Sequence, residues 1–359
     1  MGDPVFSYIH LRQFTLEIFL RMGCKPDFAE QAADGLLSAD LRGIDSHGIA
    51  RLSGYVRLWE SGRINPNPRM GIVHETPSTA VIQGDRGLGL VVAPFAMQIA
   101  MDKALQVGSG WVSVSNSNHF GIAGRYAMMA LDQDMIGIAM TNASPVVSPT
   151  FARERMLGTN PIAVAIPAGE EPAFVLDFAT STAANGKLEI LQRLGEDAPA
   201  GWIQDSQGNP SSDPWELKNG GALLPLGTDR EHGSHKGYGL GAMVDIFSAV
   251  LSGANYGPWV PPFVPYLPVL ADQVGEGIGH FFGALRIDGF RESAEFKKQM
   301  DKWIRRFRSA EPVDAVQPVI IPGDPERIME QTRLKTGIPV HQSVIKDLED
   351  LAIKFSIKF

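Results

Sequence analysis

The run Asp45-Ser46-His47-Gly48-Ile49-Ala50-Arg51-Leu52-Ser53-Gly54-Tyr55 carries three groups that can do chemistry, spaced by four residues. If residues 47–60 are helical, the imidazole of His47, the guanidinium of Arg51 and the phenol of Tyr55 share one face. Histidine titrates near neutral pH, and arginine grips a planar carboxylate with two parallel hydrogen bonds. Together they suit proton transfer on a small keto or hydroxy acid. A solvated helix face with three polar residues would carry the same letters.

Other histidines have informative neighbours. In Asn116-Ser117-Asn118-His119-Phe120-Gly121 a strand gives way to a helix, which puts His119 where free backbone N–H groups can bind an anion. The loop Glu231 to Gly237 holds His235 and Lys236, and reads either as a phosphate cradle or as a solvated surface loop. His280, inside the strand-like Gly279-His280-Phe281-Phe282-Gly283, reads as a hydrogen-bonded structural residue, while His10, His74 and His341 have no supporting neighbours. No metal is expected, because His232 and His235 lack a third ligand and no HExxH pair occurs. A serine nucleophile elbow is absent as well.

Two glycine-rich runs fail as nucleotide fingerprints. Gly87-Leu88-Gly89-Leu90-Val91-Val92 has valine where a third small residue belongs. Gly237-Tyr238-Gly239-Leu240-Gly241-Ala242 follows a polar loop instead of a strand. The second reads as the close-packed start of a helix over 237–251.

These residues must be positioned by a chain of 359 residues, 44% hydrophobic and 20% charged, which is enough apolar material for one or two cores. A net charge of -8 gives no footprint for nucleic acid. The lone Cys24 allows no intrachain disulfide. With no basic-then-apolar leader after Met1 and no uninterrupted run of about 18 apolar residues, a cytoplasmic protein without a membrane partner is expected. Helical spacing marks 10–22, 26–41 and 48–61, followed by the breaker Asn65-Pro66-Asn67-Pro68. Short β-rich runs at 79–84, 111–115, 136–140, 162–166 and 174–178 alternate with helical patterns at 91–105 and 122–133, and helices return at 292–308, 324–335 and 341–354. The fold class is therefore α+β. Residues 1–70 and 291–359 are expected to form a smaller helical domain from both chain ends, and 71–290 an α/β domain.

Taken in order, these segments resemble the type 2 malate/L-lactate dehydrogenases. The matching pieces are Arg42-Gly43-Ile44-Asp45-Ser46-His47-Gly48-Ile49 with Arg51 and Tyr55, Asn118 to Gly121, Thr141-Asn142-Ala143-Ser144-Pro145, and Gly158-Thr159-Asn160-Pro161. They continue with Leu176 to Ser181, His235 to Leu240, Gly279 to Phe282, and Ile321 to Glu326. The family includes malate, lactate, sulfolactate and ureidoglycolate dehydrogenases, a diketogulonate reductase and a cyclic imino acid reductase. The resemblance implies a non-Rossmann NAD(P)-binding domain with a mixed β-sheet, a nicotinamide cofactor (NAD or NADP, with NADH taken first), a small-molecule substrate and a homodimer.

It also implies roles. His47 matches the proton donor to the substrate carbonyl, with Ser46 and Asp177 as a relay behind it and His119 as the competing acid/base. Arg51 would bind the substrate carboxylate, with Tyr55 as a polar neighbour. The cofactor would be held by His119, Phe120, Gly121, Ile122 and Ala123, by Ser144 and Thr159, by Asp177, Phe178 and Ala179, by His235 and Lys236, and by Gly323 and Asp324. Reduction of a cyclic imino acid or a diketo sugar acid would use the same residues, and a non-catalytic binding or assembly protein is the rival class. Residues 199–225 resemble a variable insert. The aromatic and proline-rich run 256–266 could be a site wall, a rigid loop or a dimer contact, and a structural role is expected for it.

Overall fold

The computed structural model describes residues 2–314 and 316–359. Its strands are β1 (Val5–Phe6), β2 (Gly71–Glu75), β3 (Thr79–Gln83), β4 (Ser109–Ser117), β5 (Met135–Thr141), β6 (Ile162–Ile166), β7 (Phe174–Phe178), β8 (Ile203–Gln204), β9 (Pro210–Ser211), β10 (Ala222–Leu223), β11 (Ile278–Arg286) and β12 (Ile338–Pro339). The α-helices are α1 (Tyr8–Arg21), α2 (Pro26–Leu41), α3 (Leu52–Glu60), α4 (Gly89–Val107), α5 (Ala123–Met128), α6 (Asn185–Leu194), α7 (Ser234–Asp245), α8 (Ser293–Arg308), α9 (Asp324–Thr336) and α10 (Gln342–Phe355).

Seven strands form the main sheet in the order β2-β3-β4-β11-β5-β6-β7. Only β3 and β4 run parallel, joined through α4 as a crossover; the other neighbours are antiparallel, so the sheet is mixed. Helix α4 buries Val92, Ala93, Ala96, Met97, Ala100 and Ala104 at helical spacing against Val112, Val114 and Phe282 of the sheet. Its small side chains bring it close. At Gly89 an added Cβ would lie 2.1 Å from the carbonyl oxygen of Asn118, so only glycine lets the start of α4 touch the segment carrying His119.

A second core is built by α1, α2, α3 and α10. Leu11, Phe14 and Ile18 of α1 meet Leu36 and Leu37 of α2, Tyr55 of α3 and Leu348 of α10. Leu88, Leu90 and Val91 belong to the same cluster, which joins it to the start of α4. Ser7 caps α1 through the N–H of His10 at 3.2 Å, and Pro26 opens α2, where a missing N–H costs nothing. Helix α8 docks on the β6–β7 turn, where the Asp301 carboxylate accepts the N–H groups of Gly169, Glu170 and Glu171 at 2.9, 2.9 and 3.0 Å.

One expectation needs correction. The helix over 47–60 begins only at Leu52, after a 3₁₀ turn at Ile49–Arg51, and His47 lies in the preceding turn. The cause is Asp40, nine residues back. Its carboxylate accepts the N–H of Ile49 at 2.7 Å and crowds Gly48, where a Cβ would stand 2.1 Å from it, so the backbone there is not helical, with φ -91° and ψ -142°.

Candidate active site

The turn before α3 and the end of β4 bring two imidazoles face to face. The rings of His47 and His119 stack at 5.9 Å with planes 20° apart. The Ser46 hydroxyl pairs with Nδ1 of His47 at 2.8 Å. Tyr55, fully buried, places its hydroxyl 2.6 Å from Nδ1 of His119, and the Gly121 N–H reaches the same nitrogen at 3.4 Å. A nitrogen that accepts a backbone N–H carries no proton, so the neutral ring of His119 bears its hydrogen on Nε2. The Tyr55 hydroxyl is thus paired with His119, and Tyr55 does not itself line the cavity around the histidines.

Two residues of the run 256–266, Phe263 and Val264, line the cavity around the histidines, in addition to the structural role expected for the run. The Phe263 ring lies 4.6 Å from His119 and 5.2 Å from Tyr55. Its N–H donates to the Ser144 hydroxyl at 2.8 Å, Arg57 donates to its carbonyl, and Arg63 donates to Pro262 and Pro261 at 2.7 and 3.1 Å. Around these rings is a cavity of about 70 Å³ lined by His47, Arg51, His119, Ser144, Thr159 and Phe263, among others.

Arg51 is already engaged. Its Nε donates to the Ser46 carbonyl at 2.6 Å, while Nη2 and Nη1 face the Glu189 carboxylate at 2.6 and 3.4 Å. Glu189 sits on α6, which the sequence reading missed. The usable signals were Leu188 and Leu191 three apart, Glu189 four before Arg193, and the stop at Gly195. Burial opposes a charge on Glu189, yet Arg51 holds its carboxyl below the usual range.

Both histidines are neutral at pH 7. Burial, then the charge of Arg51, pushes His47 down to about 4, partly offset by Glu189. Burial and the neighbouring His47 and Arg51 push His119 well below the ordinary range. His280 is fully buried between the hydroxyls of Thr141 and Ser117, each at 2.7 Å, and burial pushes it down to about 3. It is the structural histidine read from the sequence.

These depressed values set an acid limit on stability. Below pH 6.5 the unfolded chain binds protons that the native rings refuse, so stability falls as pH drops through the window down to about 4 for His47 and about 3 for His280. Each such group contributes a slope of about 1.4 kcal/mol per pH unit. Burial raises Asp177 to about 6 and Asp40 well above the usual carboxylate range, which acts in the opposite direction, so denaturant melts of the parent and of His47→Ala should diverge by this slope between pH 6 and pH 4, and parallel profiles would refute it.

Asp177 does not join Ser46 and His47. Its carboxylate accepts the Gly124 N–H at the start of α5, at 2.7 Å, and lines a different cavity of about 240 Å³ with Arg42, Gly323 and Glu326. The implied relay is therefore not formed, because the edge strand β7 hands its carboxylate to a helix terminus. Of the residues matched to cofactor binding, His119, Ser144 and Thr159 share the histidine cavity, and Asp177 and Gly323 share the second. Neither cavity is lined by His235 or Lys236, which are exposed at the start of α7, with the His235 ring 2.8 Å from Arg230. Asp324 is spent on Arg308, Arg327 and the Ile321 N–H, and Phe120 is a core ring stacked on His280 at 4.8 Å. Ile122 caps α5 and Ala123 begins it, both buried, and Phe178 ends β7 after Asp177 with Ala179 just beyond it.

Residues 6–349 match the family model described as malate/L-lactate dehydrogenase. The malate dehydrogenase of Pyrococcus abyssi is 43% identical over 99% of this chain and 94% of its own length. The L-sulfolactate dehydrogenase of Methanocaldococcus jannaschii is 36% identical over 95% of this chain and 94% of its own. The crystal structure of malate dehydrogenase from Entamoeba histolytica superposes with a TM-score of 0.92 at 34% identity, covering 99% of both chains. Fold and relatives together define an oxidoreductase of the dehydrogenase class. The chain belongs to the malate/L-lactate dehydrogenase family.

Proposed function

We propose that this protein is an NAD(P)-dependent dehydrogenase that interconverts a small 2-oxo acid and its 2-hydroxy acid, with malate and oxaloacetate as the first pair to test. The observation that carries the reading is one small cavity lined by two neutral imidazoles and a carboxylate-binding guanidinium. The malate dehydrogenase relatives support the choice of pair. The cavity also fits a nicotinamide ring, since the hydroxyls of Ser144 and Thr159 and the apolar Val146 and Phe263 suit a flat amide-bearing ring. At about 70 Å³ it cannot enclose a dinucleotide, so the rest of the cofactor must be held outside it, by backbone-rich loops and not by a glycine fingerprint.

When bound beside Ser144 and Thr159, a nicotinamide would supply or accept the hydride. In the oxidative direction neutral His47 takes the hydroxyl proton. The Nε2–H of His119 donates a hydrogen bond to the same oxygen as it changes charge. Arg51 fixes the carboxylate and thereby the position of C2. For reduction His47 must first gain a proton. A substrate carboxylate helps, because it offsets the Arg51 charge that contributes to lowering His47.

The test is oxidation of NADH and of NADPH by the purified protein with oxaloacetate, pyruvate, sulfopyruvate, diketogulonate and a cyclic imine. Turnover with oxaloacetate is the expected result, and comparing the two cofactors decides between them. Turnover with the imine alone would make it an imine reductase. No turnover, with no change in reduced-cofactor fluorescence, would leave a non-catalytic binding protein.

A further inference from the structure

The fork that should receive a substrate carboxylate already holds one. Nη2 of Arg51 is 2.6 Å from Oε2 of Glu189, and the pair is sheltered, with side chains only 15% and 22% exposed. Glu189 is itself held in place. Its Oε1 accepts from Nδ2 of Asn185 at 2.8 Å, and Oδ1 of Asn185 accepts from the Tyr266 hydroxyl at 2.9 Å. The first turn of α6 presses directly on the clamp, since a Cβ at Gly186 would lie 2.7 Å from Nη2 of Arg51 and 2.5 Å from Cβ of Ser46. Arg51 lines the histidine cavity and two further cavities of about 220 and 510 Å³, whereas Glu189 lines those two and not the histidine cavity. The guanidinium is therefore a partition, with the reacting groups on one side and an internal carboxylate on the other.

We infer that Glu189 sets the affinity of the substrate site, as an internal rival for the Arg51 fork that a 2-oxo acid must displace in order to bind. The inference rests on the dehydrogenase reading given above. It implies that affinity for the substrate carboxylate is set by exchange of Arg51 between two carboxylates. A neutral isostere at 189 removes the rival and leaves the shape.

The Glu189→Gln variant should lower KM for oxaloacetate and for pyruvate about tenfold, while kcat changes much less. Glu189→Asp keeps the charge and should keep KM close to that of the parent. Loss of the negative charge beside His47 should also move the acid limb of the oxidation profile to lower pH. A KM that rises in Glu189→Gln would show that Glu189 only orients Arg51, and an unchanged KM would show that it does neither; both overturn the inference. Calorimetric titration of the full chain with oxalate, which undergoes no turnover, reads the same exchange: binding about tenfold tighter in Glu189→Gln is expected, and equal or weaker binding refutes it. Because that titration needs no activity, failure of the dehydrogenase reading and failure of this inference are separate results. Should Glu189→Gln not fold, Asn185→Ala loosens the rival and should lower KM by a smaller factor, with an unchanged KM again counting against the inference.

Discussion

Replacing His47 by alanine should lower kcat for 2-oxo acid reduction by about 10²- to 10⁴-fold, the usual contribution of a positioned general acid. KM should change far less, because Arg51 still receives the carboxylate. The choice between the two stacked rings follows from their surroundings. The Glu189 carboxylate partly offsets what lowers His47, whereas burial, His47, Arg51 and His280 all lower His119 with no carboxylate to offset them, so a proton on this pair is placed on His47. His119 has a different asset. The Gly121 N–H on Nδ1 leaves its hydrogen on Nε2, with the Tyr55 hydroxyl steadying the ring from the same side, so it donates a hydrogen bond without transferring the proton.

The two roles predict different rescue. A glutamine amide at 119 retains an N–H donor, so His119→Gln should recover part of the activity lost in His119→Ala. At 47 the amide cannot carry a proton between substrate and solvent, and His47→Gln should be as poor as His47→Ala. The opposite pattern, with rescue at 47 and none at 119, would move the proton-transfer role to His119.

Much of the framework was legible because it is local. Helix α2 was read with its bounds from amphipathic spacing, and β6 and β7 from short β-rich runs closed by proline and small residues. What was lost depends on partners far along the chain. The late start of α3 is caused by Asp40, whose carboxylate takes the N–H of Ile49 and crowds Gly48. Between 47 and 60 only Gly48 hints at it, and its partner lies outside that run. Glu189 was missed because its partner lies 138 residues away, and α6 buries little besides Gly186 and Leu188, leaving too weak a stripe to stand out. Asp177 was matched to Ser46 through the resemblance, but the N–H it accepts belongs to Gly124, 53 residues earlier. The proline-rich run shows no periodicity at all; Arg57 and Ser144 hold Phe263 beside the histidines, and Arg63 holds the two prolines before it.

Arg51→Ala should raise KM for oxaloacetate about 100-fold or more, since each hydrogen bond between charged partners contributes about 1.5–3 kcal/mol and the fork makes two. It should also destabilise the fold. Glu189 would be left 22% exposed with no guanidinium, and breaking a sheltered pair from one side costs about 3–5 kcal/mol, here toward the lower end because solvent still reaches the carboxylate. Denaturant melts separate the two effects: Arg51→Ala with Glu189→Gln removes the stranded charge and should recover most of the stability, while KM stays high. Glu189→Gln should lower KM only where Arg51 is present to be released. An equal fall in KM on the Arg51→Ala background would mean that Glu189 repels the substrate directly, whereas no effect there would confine its action to the guanidinium and make Arg51 the single point at which both carboxylates compete.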